Sequence, residues 1–269
     1  MIVSTLFSAI AFPEIDPIIF QVGPFAIRWY ALAYVAGLII GWQLMMRFAG
    51  AEGSRISAKQ VDDFLIWATL GVIFGGRLGY VLFYKPDYYL SNPGEIFMVW
   101  QGGMSFHGGF LGVVLATILY CRHKKIIILE FGDLLATVVP VGLFFGRIAN
   151  FINGELYGRT TDVPWGMVFP GGGILPRHPS QLYEALLEGA VLFAILLIFR
   201  KTRYANKPGF IMGLFFAGYA VARSIVEFFR EPDAYLGFLV GSLTMGQLLS
   251  LPMLIVGFYF MLRPSHKSS

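Results

Sequence analysis

Arg147, Asn150 and Gly154 fall three and four residues apart in a stretch that is otherwise largely apolar. At about 3.6 residues per helical turn they share one face, and the small residues beside them leave room for a bulky polar group. An arginine at mid-bilayer costs about 2.5–3.5 kcal/mol on insertion scales, so it needs a partner or a purpose. Its planar fork suits the oxygens of a carboxylate or a phosphate. Asn153 and Glu155 follow where the helix is expected to leave the apolar region, and Gly158 is expected to supply a positive φ in the turn beyond. A second stripe carries Arg223, Glu227 and Arg230 at i, i+4 and i+7. Either it neutralises itself as an ion-pair ladder that locks helices together, or, since its charges sum to a net positive, one arginine is left for an anion.

His107 opens another apolar stretch, between Gly102-Gly103 and Gly108-Gly109. An ordinary imidazole titrates at about 6.5, which suits proton transfer near neutral pH. His178 precedes Pro179, which fits the first turn of a helix; it reads as a loop-ordering residue, with Gln181 and Glu184 facing the helices. Arg28 and Arg77 read as side chains that reach headgroups or pair with an acid. No further His or Cys stands at ligand spacing, so neither a metal nor a cofactor is expected.

The elements that must position these groups belong to a bilayer. Of 269 residues, 57% are hydrophobic and 13% charged, about half the charged share of a soluble domain. A span takes roughly 20 mostly apolar residues, and seven are placed, at 25–46, 63–84, 105–121, 131–151, 181–199, 209–229 and 243–262. The expectation is an all-α, polytopic integral membrane protein whose residues 1–269 form a single domain. An irregular loop at about 153–180, rich in Gly and Pro, is the candidate gate or substrate-facing segment.

Loop charges set the orientation. Arg47, Arg55 and Lys59 follow the first span, Lys85 stands alone after the second, and Arg122, Lys124 and Lys125 follow the third. Arg200, Lys201, Arg203 and Lys207 follow the fifth span, and Arg263 and Lys267 end the chain. By the positive-inside rule the N-terminus lies outside and the C-terminus in the cytoplasm. Tyr30, Tyr80, Tyr84, Tyr88, Tyr89, Trp100 and Trp165 then read mainly as an anchoring belt on the outer side. The formal charge of +4 is spread over short loops rather than gathered in a stripe, which argues against a nucleic-acid partner. Cys121 stands alone and reads as a small apolar residue near a helix end. Met1 to Phe12 are apolar but lack a basic start and a cleavage site, so no removable signal peptide is expected.

The run Gly146-Arg147-x-x-Asn150-Phe151-x-Asn153-x-Glu155-x-x-Gly158 resembles the signature of the prolipoprotein diacylglyceryl transferase family. The resemblance extends to Gly23-Pro24, Arg28-Trp29-Tyr30, His107-Gly108-Gly109, Arg177-His178-Pro179-Ser180-Gln181-Leu182-Tyr183-Glu184 and Glu227-Phe228-Phe229-Arg230-Glu231-Pro232-Asp233. It implies a multi-pass bacterial inner-membrane enzyme with a periplasmic N-terminus, the 153–180 loop on the periplasmic side, and no cofactor. The implied substrates, among membrane lipids, are phosphatidylglycerol and a preprolipoprotein signal peptide with its lipobox cysteine. The products are a thioether-linked diacylglyceryl protein and glycerol phosphate. His107 is then the candidate base, and Arg147 and Arg223 the groups that bind and stabilise the phosphate. Asn150 and Asn153 hydrogen-bond ester or phosphate oxygens, Tyr30 and Glu155 orient those groups, Gly158 shapes the loop, and Glu227 and Arg230 complete the substrate site. A transporter would instead show polar groups reaching both sides, often with an internal repeat. A lipid-binding scaffold would need the arginines but not His107.

Overall fold

The computed structural model describes residues 10–13, 15–23, 25–51, 54–231 and 244–264. Most of Met1 to Phe12, Pro24, the Pro232-Asp233 end of the last motif, the start of the 243–262 segment and Lys267 lie outside the described residues. In order, the elements are β1 (Ile10–Ala11), β2 (Ile18–Val22), β3 (Phe25–Arg28), α1 (Trp29–Ala49), α2 (Ala58–Tyr84), α3 (Pro86–Ser91), α4 (Phe106–Lys124), α5 (Ile128–Ile152), β4 (Met167–Val168), α6 (Ser180–Glu184), α7 (Leu192–Arg200), α8 (Phe210–Val226) and α9 (Met245–Leu262). A π-helical stretch, Ala185–Val191, joins α6 to α7 without a break, and 3₁₀ turns at Pro93–Phe97 and Val99–Gln101 lie between α3 and α4.

Each of the seven expected segments coincides with a helix. Five helices are long and apolar enough to cross a membrane: Trp29–Ala49, Ala58–Tyr84, Ile128–Ile152, Ser180–Arg200 and Met245–Leu262. Their outward faces are apolar, with Ile66 67% and Ile255 70% exposed, an arrangement that water would penalise and lipid favours. The chain is therefore mostly helical, but not wholly so. The first expected span starts too early, because Phe25–Arg28 pairs antiparallel with Ile18–Val22 before the helix begins. Arg28 thus ends a strand rather than sitting in a helix. β1 and β4 form a short parallel pair.

The chain divides into two compact units, one of Met1–Gly41 with Leu135–Ser269 and one of Trp42–Leu134. In the larger unit, Ala136, Leu192, Leu196, Phe210, Ile211 and Phe215 form a buried core. In the smaller, Phe64 packs edge-on against Phe131 at 4.8 Å and against Tyr120 at 5.4 Å. The Tyr120 hydroxyl donates to the Gln60 carbonyl at 2.6 Å, so its one polar atom is satisfied within that core. Cys121, fully buried near the end of α4, packs as the small apolar residue expected of it.

Local chemistry explains where the helices begin. Ser57 and Gln60 form a reciprocal capping box at α2, and Thr244 and Gln247 form another at α9. At α4, Ser105 accepts from the Gly108 amide at 3.2 Å. α2 and α4 then pack along Gly71, Gly75 and Gly79 on one side and Gly108 and Gly112 on the other, so close that a Cβ on any of them would strike the facing backbone.

Candidate active site

A cluster of charged side chains lies where α5, the Ser180–Arg200 helix and α8 meet. Glu184 and Glu188 are fully buried and stand at i and i+4 across the π-helical stretch. Glu184 Oε2 lies 2.7 Å from Arg147 Nε and 3.0 Å from Arg223 Nη1. Glu188 is held less tightly, at 3.6 Å from Arg147 Nη2 and 3.6 Å from Arg223 Nη1. Arg223 Nη2 lies 2.5 Å from Glu227 Oε1, one helical turn along the chain. Two guanidinium groups thus face three carboxyl groups. Such a cluster survives in an apolar setting because each charge finds its opposite; removing one member strands the others.

This corrects the reading of Arg223 as the free member of a positive stripe. Counting charges on a single helix leaves an arginine over, but the glutamates of the neighbouring helix engage it. Arg230 does not extend the stripe either, because α8 ends at Val226 and Arg230 lies in an extended bridge with Gly158. Glu227 has a second anchor. Thr244 Oγ1 donates to Glu227 Oε2 at 2.7 Å, and the carboxylate rests over Gly246 in the first turn of α9. There the unpaired amides and the helix dipole favour negative charge.

Beside this cluster, α5 runs into the motif that follows Arg147. The Asn150 amide donates to Glu155 Oε1 at 2.8 Å, and Asn153 donates to the same oxygen at 3.3 Å. Gln181, fully buried, donates to the Glu155 carbonyl at 2.6 Å, which fixes the turn from the other side. A Cβ on Gly146 would meet nothing within 4 Å, so the face next to Arg147 is open at that position. Tyr30, at the start of α1, is part-exposed and shares a 3.2 Å hydrogen bond with the Tyr34 hydroxyl.

Gly158 is needed for a different reason from the one expected. Its φ is not positive; Gly154 and Leu156 take the left-handed conformations in this turn. Gly158 is where backbones meet: a side chain there would strike the Phe229 carbonyl and the His178 backbone and Cβ. The Gly158 amide donates to the His178 carbonyl at 2.8 Å, and the Arg159 amide to Phe229 at 2.9 Å. Arg177 laces the same loop, donating to the Gly172 and Gly158 carbonyls, pairing with Glu231 at 2.9 Å and lying over the Tyr157 ring. His178 orders the loop as expected, with Nδ1 3.1 Å from the Tyr183 hydroxyl and its ring against Phe229. Burial pushes its imidazole below the ordinary 6.5, opposed in part by Asp162.

His107 belongs to the smaller unit. It is exposed in the first turn of α4, with its ring edge-on to Phe106. Arg77, expected at headgroups or beside an acid, is instead buried among backbone carbonyls of that unit. On the Pro86–Ser91 helix side of the same unit, Tyr88 donates to Glu95 at 2.7 Å, which pushes its phenol above the ordinary range. Among the described residues, no group of three or more His, Cys, Asp or Glu could hold a metal ion.

The structure therefore brings together Arg147, Arg223 and Glu227, and separately Asn150, Asn153 and Glu155. Sequence reasoning missed Glu188 and Thr244. Gln181, Glu184 and Glu188 recur on one face of an apolar segment, a pattern that marks Glu188 in the sequence itself. Nothing local marks Thr244, whose partner lies on another helix.

A family model described as prolipoprotein diacylglyceryl transferase matches residues 17–263. A protein of Paramagnetospirillum magneticum named phosphatidylglycerol–prolipoprotein diacylglyceryl transferase is 60% identical over 251 residues, covering 93% of each chain. One of the same name from Rhodospirillum rubrum is 59% identical, over 93% of this chain and 92% of its own, and one from Azospirillum brasilense is 58% identical, over 93% and 94%.

Proposed function

The chain belongs to the prolipoprotein diacylglyceryl transferase family, and we propose that it moves the diacylglyceryl group of phosphatidylglycerol onto the lipobox cysteine of a preprolipoprotein. In this reading one multi-pass domain of seven spans sits in the bacterial inner membrane, with the N-terminus periplasmic and the C-terminus cytoplasmic. The alternation of basic loops supports that orientation.

The substrate thiol must lose its proton, because a thiol with a pKa of about 8.5 attacks poorly while protonated. Its sulfur forms a bond to the glycerol carbon that carries the phosphodiester, and that carbon's bond to the phosphate oxygen breaks. The phosphodiester enters with one negative charge and leaves as a glycerol phosphate monoester. The leaving oxygen therefore gathers charge as the bond breaks, and donors already aimed at it lower the barrier. His107 takes the thiol proton; its assignment rests on the chemistry of the imidazole and on the sequence resemblance. Arg147 and Arg223 bind the phosphate, while Asn150, Asn153, Glu155 and Tyr30 orient the headgroup and its ester oxygens. Gly158, Glu227 and Arg230 shape and hold the site.

The observation that carries this reading is the pair of arginines held by Glu184. Pre-paired guanidinium groups need no large rearrangement to exchange one carboxylate contact for a phosphate oxygen. The test is transfer by purified protein in phosphatidylglycerol micelles with a lipobox peptide, following glycerol phosphate. Peptide-dependent release by wild type, lost in Arg147→Ala, is expected; folded wild type that releases none would overturn the assignment.

A further inference from the structure

Arg77 lies on α2, is 2% exposed, and is held by neutral partners. Its Nε donates to the Ile96 carbonyl at 2.8 Å and Nη2 to the Glu95 carbonyl at 2.6 Å. Nη1 donates to the Gly102 carbonyl at 2.5 Å and to Gly103 at 3.3 Å. The face of the guanidinium covers Tyr89, 5.1 Å from the ring centre. One cation thus gathers both ends of the Glu95–Gly103 stretch that leads into α4.

The entry to α4 is fixed in turn. Gly102 has φ 81° and ψ −163°, a region reserved for glycine, and Gly103 has φ 78° at a point where a Cβ would strike the Tyr80 ring. The Ser105 amide donates to the carbonyl of Gly76, one residue before Arg77, at 2.8 Å, and the Ser105 hydroxyl caps α4. His107 is the second residue of that helix. Its backbone is therefore set by two consecutive residues of α2, Gly76 and Arg77.

We infer that Arg77 is a positioning residue for His107, holding the Glu95–Gly103 carbonyls so that α4 begins in one orientation. This rests on His107 being the base. A lysine in place of Arg77 would keep the charge but lose the planar fork that reaches both pairs of carbonyls at once.

The test compares wild type, Arg77→Lys, Gly103→Ala and His107→Gln, each full length in phosphatidylglycerol micelles with a lipobox peptide. Arg77→Lys and Gly103→Ala are expected to lower kcat about tenfold or more at nearly constant KM for the peptide. They are also expected to shift the pH dependence of kcat, and to speed amide hydrogen exchange at 102–109 while leaving 210–226 unchanged. Wild-type kcat and pH dependence in Arg77→Lys, with His107→Gln inactive, would overturn the inference and leave the base standing. Full activity in His107→Gln would overturn the base and the inference together. Faster exchange over both 102–109 and 210–226 in Arg77→Lys would show general loosening and overturn it as well.

Discussion

Arg147 Nε and Glu184 Oε2 lie 2.7 Å apart, and the glutamate has no exposure to solvent. The arginine is 18% exposed at its side chain, so the pair has a buried end and an open end. Truncating the buried partner leaves Arg147 and Arg223 without their shared anion. Glu184→Ala is expected to destabilise the protein by about 3–5 kcal/mol, and Glu184→Gln by less, since the amide oxygen still accepts from both arginines. Thermal unfolding in detergent micelles checks both; equal midpoints for wild type and Glu184→Ala would show that the pair contributes nothing.

Thr244 caps α9 and donates to Glu227 with the same hydroxyl. Thr244→Val should cost about 1–3 kcal/mol through the two lost bonds, while Thr244→Ser should keep both. The contrast between them, read by the same unfolding measurement, separates the hydroxyl from the methyl group.

Gly75 and Gly108 meet across α2 and α4, where a Cβ would strike backbone, whereas a Cβ on Gly94 would meet nothing within 4 Å. Gly75→Ala is expected to cost about 1–3 kcal/mol or more by forcing the helices apart. Gly94→Ala should stay within about 0.5 kcal/mol of wild type. Similar midpoints for the two variants would contradict the close packing.

His178 titrates below its ordinary 6.5 because it is buried. The unfolded chain therefore takes up a proton before the folded one does, and unfolding is favoured as the medium turns acidic. Stability attributable to His178 is complete above about pH 6.5 and declines as the pH falls through its folded value. Unfolding midpoints measured from neutral to mildly acidic pH should show this slope in wild type, and His178→Gln should flatten it.

Much of this architecture is legible in the chain itself. Apolar stretches mark every long helix, since lipid demands them, and the spacing of Arg147, Asn150 and Glu155 marks the turn that closes on Glu155. The features that stay hidden depend on partners brought from elsewhere. Arg223 reads as unpaired on α8 because its carboxylates are on the preceding span, and Arg77 reads as a headgroup seeker because backbone carbonyls leave no trace in residue identity. The short strand Phe25–Arg28 is absorbed into a hydrophobic run, as four residues are too few to show a period of two.

The π-helical stretch Ala185–Val191 carries an additional residue relative to a regular α-helical path. Deleting one residue there would restore the ordinary winding and rotate everything beyond it by about 100°. Leu192 and Leu196, which lie in the core, would then turn outward although their identities had not changed. A one-codon loss in this helix is thus equivalent to replacing a whole packing face, which makes the length of the segment a tighter constraint than the chemistry of most of its side chains.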